Sequence, residues 1–296
     1  MAFKANHFLK KSILFIINPI SGGKSKSNFP EMAGNYLDKN LFESTFIFTE
    51  GVGHGQKLAA ENTGKDIIVA VGGDGTINEI ASSIEGTEQW MGIVPCGSGN
   101  GLARTLGIPL IDSEAIARLN NLNCTRIDAG KLNSRKFFNM AGVGFDAHIS
   151  KVFAEHVNRG LAGYIQTTFR EISHYKTQSY TLEIDGKCYD RDAFMISIAN
   201  SSQYGNNAYI SPFASVKDGL LDVCIIRPFP LYVFPLMGYR MFSKTTHKSK
   251  FVEIIQGRQI RITREGPGPV HVDGEPLLME SELDITIKPL ALSVLV

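Results

Sequence analysis

The sequence predicts the fold class α/β + β, with an N-terminal doubly wound parallel α/β domain and a C-terminal β-sandwich-like domain. Two observations predict it. In residues 1–125, short apolar runs alternate with segments of helical periodicity, which is typical of a parallel sheet with helices on both faces. In residues 126–285, many short strand-like runs separated by turn signals are typical of a β-sandwich or barrel.

Three strands of the first domain each end in a glycine-rich loop. The strands are Ile13–Ile17, Ile67–Val71 and Trp90–Val94, and the loops are NPISGGKSKS (18–27), GGDG (72–75) and PCGSGNGLAR (95–104). Carboxyl ends of parallel strands meet at one sheet edge, where α/β proteins bind ligands. Neither GxxxxGK[ST] nor GxGxxG is matched, so the loops predict a nucleotide cleft of neither standard kind.

The GGDG loop leads directly into a predicted helix. Glycines let the backbone come close to a ligand, and the free N–H groups at the helix start favour phosphate. Asp74 would repel phosphate unless a cation such as Mg²⁺ lies between them. The alternative is structural: Thr76 and Glu79 would form a capping box, with Asp74 a turn residue.

The second domain is read as a series of strands with a hairpin signal at Asp185-Gly186. We predict strands at 137–144, 193–199, 220–226, 251–255, 259–263, 270–273 and 283–287, and a helix over 161–175. Arg258, Arg261 and Arg264 are interpreted as one solvent-exposed face.

Composition, net charge and cysteine spacing indicate which general classes of protein the chain can belong to. The 296 residues are 43% hydrophobic and 20% charged, as in ordinary globular domains, and a net charge of +1 argues against a dedicated nucleic-acid binder. The four cysteines show no CxxC pair, which favours reduced thiols in a cytoplasmic protein. No apolar run approaches the roughly 20 residues of a membrane span. We expect a cytoplasmic protein, at most peripheral at the inner membrane surface.

The motifs NPISGG, GGDGTINE and PCGSGNGLA, in this order and spacing, resemble those of the diacylglycerol kinase and sphingosine kinase family of lipid kinases. The resemblance implies that the protein uses ATP and Mg²⁺ and acts on a lipid at a membrane surface. It also implies a β-rich second domain, from which a strand at about 286–296 returns to the first domain. The residues that it implies for nucleotide binding are Asn18, Pro19, Ser21, Gly22, Thr49, Gly72, Gly73, Asp74, Gly75, Thr76, Asn78, Glu79, Ser98 and Asn100.

Three carboxylates are implied as catalytic by the same resemblance. Glu275, in HVDGEP, matches the family's proposed general base, which takes the proton of the acceptor hydroxyl, and Asp128 matches an aspartate of the same network. Asp74 would help to hold the metal. The alternatives are a hairpin turn at Asp273-Gly274 with a solvated Glu275, and a strand-end acid at Asp128. A structural Mg²⁺ is implied at Ser215, Asp218 and Leu220, where a lone KDG would be an ordinary turn.

One departure from the family bears on the substrate. Bacterial diacylglycerol kinases carry Asn-Asp after the third glycine loop, whereas this chain has Asn100-Gly101, so one carboxylate is missing. GSGN looks more like sphingosine kinases, and GGDGTINE more like bacterial diacylglycerol kinases. Diacylglycerol, sphingoid bases, ceramide, monoacylglycerol and a polyprenol all stay open as substrates.

Residues 229–251 interleave aromatic and basic side chains. An apolar face beside a basic run suits an anionic membrane. A core-packing helix that ends in a solvated basic loop is the simpler interpretation. The oligomeric state is open, and a homodimer is one option.

The leading functional hypothesis is an ATP-dependent kinase of a lipid hydroxyl, with its active site in the cleft between the domains. An NAD kinase relative is a second hypothesis, because GGDGT occurs there too. A nucleotide- or lipid-binding regulator without turnover is the third. The regulator hypothesis is supported by Gly101, which replaces an acid. The retained acids argue against it: Asp74, Asp128 and Glu275.

Overall fold

The computed structural model describes residues 10–23, 25–154, 168, 170–172 and 174–296, which divide into two compact units. The first unit contains the described residues up to Gly97, with Gly107–Thr125 and Leu292–Val296. The second contains Ser98–Leu106 and the described part of Arg126–Ala291. The domain limits 1–125 and 126–285 stay predictions.

The first unit is built on a parallel sheet of strand order β2-β1-β3-β4. The strands are β1 (Lys11–Ile17), β2 (Phe42–Phe48), β3 (Ile67–Gly72) and β4 (Trp90–Pro95). Four helices accompany them: α1 (Phe29–Tyr36), α2 (His54–Glu61), α3 (Asp74–Ile84) and α5 (Asp112–Leu119). Residues 13–17 and 67–71 are fully buried, as in strands covered on both faces, which explains their unbroken apolar sequence.

The sheet of the first unit gains a last strand from far along the chain. Ser293 and Val294 pair in parallel with Trp90 and Met91, and the N–H of Val296 donates to the carbonyl of Asn123 at 2.8 Å. β4 is therefore paired on both sides, with β3 and with this segment.

The second unit contains two sheets in antiparallel pairing. The first sheet has the strand order β12-β11-β10-β7-β14-β15. In the second sheet, β13 pairs with β16 on one side and with β8 on the other, and β8 also pairs with β9. The strands β5 and β6 of this second sheet pair with each other. The first sheet comprises β7 (Met140–Gly144), β10 (Met195–Ala199), β11 (Leu221–Ile226), β12 (Val252–Gly257), β14 (Gly268–Val272) and β15 (Glu275–Met279). The second comprises β5 (Cys124–Leu132), β6 (Arg135–Phe137), β8 (Gln178–Ile184), β9 (Lys187–Ala193), β13 (Gln259–Arg264) and β16 (Glu282–Leu295). The first two residues of β5 and the last four of β16 belong to the first unit.

One core lies between these two sheets. Val143, Ile196 and Val223 from one sheet pack with Leu182 and Ile262 from the other. Alternating apolar side chains along each strand meet in this layer, as expected of a sandwich. The predicted α/β plus β-sandwich-like fold is confirmed.

Three helices with defined bounds occur in the described part of the second unit: α4 (Gly101–Thr105), α6 (Phe145–Ala154) and α7 (Phe234–Phe242). No helix in the described ranges is both long and apolar enough to cross a bilayer. The helix predicted over 161–175 falls largely outside the described residues.

The interpretation of three arginines as one exposed face is wrong for Arg264. Strand side chains alternate with a period of two, so positions 258, 261 and 264 cannot all point to one side. Arg264 is buried, and its guanidinium donates to the carbonyls of Gly268 (2.7 Å), Pro269 (3.0 Å) and Met279 (2.9 Å). Burial lowers the pKa of this guanidinium from its ordinary value.

Candidate functional site

The loop residues of the first unit start where its parallel strands end. The N–H of Asn18 donates to the carbonyl of Val71 (2.9 Å), and that of Cys96 donates to Gly72 (2.7 Å). Thr49, directly after β2, donates its N–H to the carbonyl of Ile17 (2.8 Å). Asn18, Thr49, Gly72 and Cys96 therefore lie along one edge of the sheet, as the strand pattern predicts.

Helix α3 begins without a side-chain cap. Its N-cap residue Gly73 has an extended backbone (φ −91°, ψ −172°), and the hydroxyl of Thr76 instead accepts a hydrogen bond from Asn18 Nδ2 (3.0 Å). Asp74 stands in the first turn. The capping box weighed as an alternative is therefore absent, and the amides at this helix start keep the character of an anion site.

Glu79 holds a neighbouring loop. Its carboxylate oxygens accept hydrogen bonds from the N–H groups of Gly53 (2.7 Å) and Gly55 (3.0 Å). Asn78, on the same helix, accepts a hydrogen bond from the hydroxyl of Ser82 (3.3 Å). Glu79 fixes the GVGHG loop (51–55), which follows Thr49 closely in the chain. Its role in nucleotide binding stays a prediction.

Two glycines show why these loops need residues without side chains. A Cβ on Gly22, whose φ is +68°, would lie 2.2 Å from the carbonyl oxygen of Cys96, and one on Gly73 would lie 3.1 Å from the Cα of Gly97. The three loops therefore approach one another backbone to backbone. The adjacent Ser21 hydroxyl is buried without a hydrogen-bond partner among the described residues. A buried hydroxyl without a hydrogen-bond partner, in a loop at this edge of the sheet, fits a phosphate oxygen.

Two further residues complete this edge. Lys26 is buried, and its ammonium group donates to the carbonyl of Ser21. Sequence reasoning missed Lys26, although the signal was present in the GGKSKS letters. Burial raises the pKa of the Cys96 thiol to about 12, and the carboxylate of Asp112 adds to this effect, so Cys96 is no nucleophile at neutral pH.

Ser98 and Asn100 of the third loop belong to the second unit. Asn100 is buried with a left-handed backbone (φ 53°) and forms a β-bridge with Gly205. A Cβ at Gly101 would lie 2.5 Å from Nδ2 of Asn139 and 2.8 Å from the carbonyl oxygen of Tyr204. The structure therefore leaves no room at 101 for the acid that the family resemblance leads one to expect there.

Glu275 follows a tight hairpin turn between β14 and β15. Asp273 (φ 48°) and Gly274 (φ 85°) both take positive φ, which is the geometry of a two-residue type I′ turn. The Asp273 carboxylate accepts three backbone N–H groups at the start of β7, from Phe138 (3.0 Å), Asn139 (2.9 Å) and Met140 (2.9 Å). The turn is therefore clamped, while Glu275 itself is exposed. Sequence reasoning missed this role of Asp273.

Asp128 is fully buried, and both of its carboxylate oxygens are engaged. Oδ2 accepts the N–H of Gly219 (2.8 Å), and Oδ1 accepts that of Leu290 (2.7 Å). This geometry favours a structural role. Asp128 does not lie at a strand end, as the structural alternative had it, but within β5, where it fastens the loop at Gly219 and the β16 backbone at Leu290. Its catalytic role stays a prediction.

Asp218 and Ser215 lie in the loop that Asp128 fastens. Asp218 accepts the N–H of Leu220 (3.0 Å), and the Ser215 hydroxyl accepts the N–H of Lys217 (3.3 Å). Burial raises the pKa of Asp218, the Leu220 N–H opposes this rise, and the carboxylates of Asp222 and Asp128 add to it. No group of three or more histidine, cysteine or acidic side chains suited to a metal occurs within the described ranges.

Both halves of the chain match family models. The model of the diacylglycerol kinase catalytic domain matches residues 12–132, and that of the YegS C-terminal NAD kinase beta sandwich-like domain matches residues 139–296. A protein of Pseudomonas putida named "Probable lipid kinase YegS-like" is 32% identical, with 81% of each chain covered. A diacylglycerol kinase of Staphylococcus saprophyticus is 28% identical over 90% of each chain.

A solved structure shares the fold. A diacylglycerol kinase of Bacillus anthracis superposes with a TM-score of 0.74 at 20% identity, with 96% of each chain covered. At that identity the likeness concerns the fold alone.

Proposed function

Because this chain belongs to the diacylglycerol kinase and YegS-like family of lipid kinases, we propose that it transfers the γ-phosphoryl group of ATP to the hydroxyl of diacylglycerol. The enzyme class, a phosphotransferase that acts on a lipid alcohol, follows from the family. ATP as the phosphoryl donor is supported by two features of this sheet edge: α3 begins without a side-chain cap, and the buried Ser21 hydroxyl has no hydrogen-bond partner among the described residues.

Phosphate would be bound by backbone groups more than by charge. The amides at the start of α3 offer donors at this sheet edge, and their fixed dipoles favour the charge on the transferring phosphoryl group. Mg²⁺, when bound, neutralises charge on the phosphates. Asp74, in the first turn of α3, would hold it.

Glu275 is proposed as the general base. Its carboxylate is exposed, so it can reach an acceptor hydroxyl, while the Asp273 clamp fixes the turn that carries it. Removal of the hydroxyl proton as the P–O bond forms typically contributes about 10²–10⁴-fold to the rate.

An apolar pocket in the second unit supports a lipid acceptor. It has a volume of about 160 Å³ and is lined by Ile172, Tyr175, Thr177, Phe194, Pro228, Phe229 and Leu231. An acyl or alkyl tail is the kind of group that such a lining stabilises, since burial of each methylene contributes about 0.8 kcal/mol.

A second, structural Mg²⁺ is proposed at Ser215, Asp218 and Leu220. Hydroxyl, carboxylate and carbonyl oxygens are the donors that a hard cation prefers. The neighbouring carboxylates that raise the pKa of Asp218 make this loop electronegative, which a cation would relieve.

The test is a kinase assay with γ-labelled ATP and Mg²⁺ over diacylglycerol, sphingosine, ceramide, monoacylglycerol and a polyprenol in mixed micelles, with NAD as a further acceptor. Glu275→Gln keeps the shape and removes the base. Glu282→Gln, at another exposed glutamate of the second unit, is the matched control.

We expect labelled diacylglycerol, a loss of about 10²-fold or more with Glu275→Gln, and no loss with Glu282→Gln. Preference for another lipid would revise the acceptor alone. ATP binding without labelled lipid would favour a regulator, and labelled NAD without labelled lipid would overturn the proposal.

A further inference from the structure

Helix α7 shows two apolar stripes, of which only one is buried. Met237 is 4% exposed and packs with Val233 and Phe234 against the outer core of the six-stranded sheet. On the other side, Tyr232 (83% exposed), Leu236 (49%), Tyr239 (68%) and Phe242 (50%) follow one another at intervals of three or four residues. They therefore form one outward stripe along α7 and the helical turn directly before it, Leu231–Val233, which contains Tyr232. The segment is thus a core-packing helix that ends in a solvated basic loop, as the simpler interpretation had it, and its outer side carries a second apolar stripe.

The charge of this segment is unlike that of the rest of the chain. Residues 223–252 contain five lysines and arginines and no aspartate or glutamate, which leaves 25 basic against 29 acidic residues elsewhere. Arg227 forms an ion pair with Glu253 at 2.6 Å. Lys244, Lys248 and Lys250, beyond the end of α7, are exposed. The positive excess of the protein is therefore concentrated beside its outward aromatic stripe.

We propose that this surface, which we call the α7 face (Tyr232, Leu236, Tyr239 and Phe242 with Lys248 and Lys250), docks on an anionic lipid bilayer. An interfacial helix lies in the plane of the membrane, with apolar and aromatic side chains in the headgroup region and lysines beside anionic lipids. The proposal rests on the proposed function, because a lipid kinase must meet a substrate that resides in a membrane.

A second copy of this chain fits the α7 face less well than a bilayer does. A two-fold contact would place the same surface on both sides of the interface. Since residues 223–252 contain no acid, the lysines of one copy would face those of the other without compensating charge from this segment. An anionic membrane supplies that opposite charge.

The pocket described above borders the α7 face. Leu231, which directly precedes Tyr232, is 55% exposed and also lines the pocket together with Pro228 and Phe229. A docked α7 face would therefore bring the pocket next to the lipid phase. A lipid tail could then move from bilayer to pocket across apolar surface.

The experiment is vesicle co-sedimentation of the full chain with phosphatidylcholine vesicles that do or do not contain about 30 mol% phosphatidylglycerol. Tyr239→Ser/Phe242→Ser tests the stripe, and Lys248→Glu/Lys250→Glu tests the charge. Matched controls change exposed residues elsewhere: Tyr36→Ser/Ile111→Ser and Lys39→Glu/Lys187→Glu. Thermal melting identifies any variant that fails to fold.

We expect the wild type to bind the anionic vesicles and to be released as salt rises from about 0.1 M to about 1 M. Each α7-face variant should bind at least about tenfold more weakly, with both controls unchanged. Failure of the wild type to bind, or equal binding by the α7-face variants, overturns the proposal. So does a dimer that both α7-face variants convert to monomer.

A water-soluble short-chain diacylglycerol separates this proposal from the proposed function. The α7-face variants should phosphorylate it at the wild-type rate while losing activity on vesicle-borne lipid. If the wild type binds anionic vesicles through the α7 face but phosphorylates no lipid, the proposed function fails and the docking surface stands.

Discussion

The side-chain amide of Asn139 occupies the space that any side chain at position 101 would need. A Cβ on Gly101 would lie 2.5 Å from Asn139 Nδ2, and the Tyr204 carbonyl oxygen closes the other side at 2.8 Å. Asn139 is itself buried and held by the hydroxyl of Ser201. The glycine is thus matched to its surroundings, and a missing acid at 101 does not by itself indicate lost catalysis.

The first prediction concerns restoration of that acid. Gly101→Asp should destabilise the protein by about 1–3 kcal/mol, because the new side chain overpacks a filled site. Urea unfolding measures the change. The companion variant Gly101→Asp/Asn139→Ala should recover part of the loss, since it removes the nearer clash. If Gly101→Asp alone is as stable as the wild type, the tight packing described here is contradicted.

The second prediction concerns the clamp beneath Glu275. Asp273→Ala leaves the N–H groups of Phe138, Asn139 and Met140 without their acceptor, which should cost roughly 1–3 kcal/mol of stability. It should also lower kcat more than it raises the KM for ATP, because the turn that positions the base loosens.

The second unit offers a matched control for that variant. Asp185, in an Asp-Gly turn of the same positive φ, accepts the N–H groups of Arg258 (3.0 Å) and Gln259 (2.9 Å). Asp185→Ala should lose comparable stability and keep kcat. Equal loss of kcat in both variants would show that general destabilisation, and not the position of Glu275, explains the effect.

The third prediction concerns the loop that follows Thr49. Glu79→Ala removes the acceptor of the Gly53 and Gly55 N–H groups, at a cost of roughly 2 kcal/mol in stability. A released loop should raise the KM for ATP severalfold with a smaller change in KM for the lipid. Glu61→Ala, at an exposed position on the adjacent helix, should change neither constant. An unchanged KM for ATP in Glu79→Ala would separate this loop from nucleotide binding.

The fourth prediction is a pH dependence. Arg191, which donates to Glu253 at 2.9 and 3.0 Å, and Arg227 hold the pKa of Glu253 at about 2, below its ordinary value of 4.5. Because the pKa of Glu253 is lower in the folded protein, the ionised carboxylate stabilises the folded state. This stabilisation is complete above pH 4.5 and is lost as the pH falls toward 2. The difference in unfolding free energy between wild type and Glu253→Gln should be constant near neutral pH and shrink within that window. Glu43→Gln, at an exposed site, should show no such window.

The first unit could be predicted well because its signals are local. Strands buried on both faces must be apolar throughout, and the loops that bend sharply need glycine, so β1, β3 and β4 were recognisable from adjacent letters. β9 is implied only by the hairpin signal at Asp185-Gly186, and its own letters do not predict its bounds, for the opposite reason. Its sequence, KCYDRDA, is mostly polar because this strand is largely exposed.

The loops of the candidate site could be predicted from the sequence, but the side chains that hold those loops in place could not. Asp273 lies 133–135 residues from the backbone groups that it accepts, and Glu79 lies 24–26 residues from the loop that it holds. No short sequence motif contains both partners of such a pair, and neither partner has an unusual local sequence. The same holds for Gly101, whose meaning depends on Asn139 and Tyr204.

The pairing of Ser293 and Val294 with β4 has a consequence for synthesis on the ribosome. Until residue 294 has been translated, one side of β4 lacks its partner strand, and an unpaired strand edge invites association with other chains. At about 5–20 residues per second, translation from β4 through residues 126–291 takes roughly 10–40 s. During this interval the three glycine-rich loops are already synthesised, while the strand that completes the sheet is still to be translated about 200 residues downstream of β4.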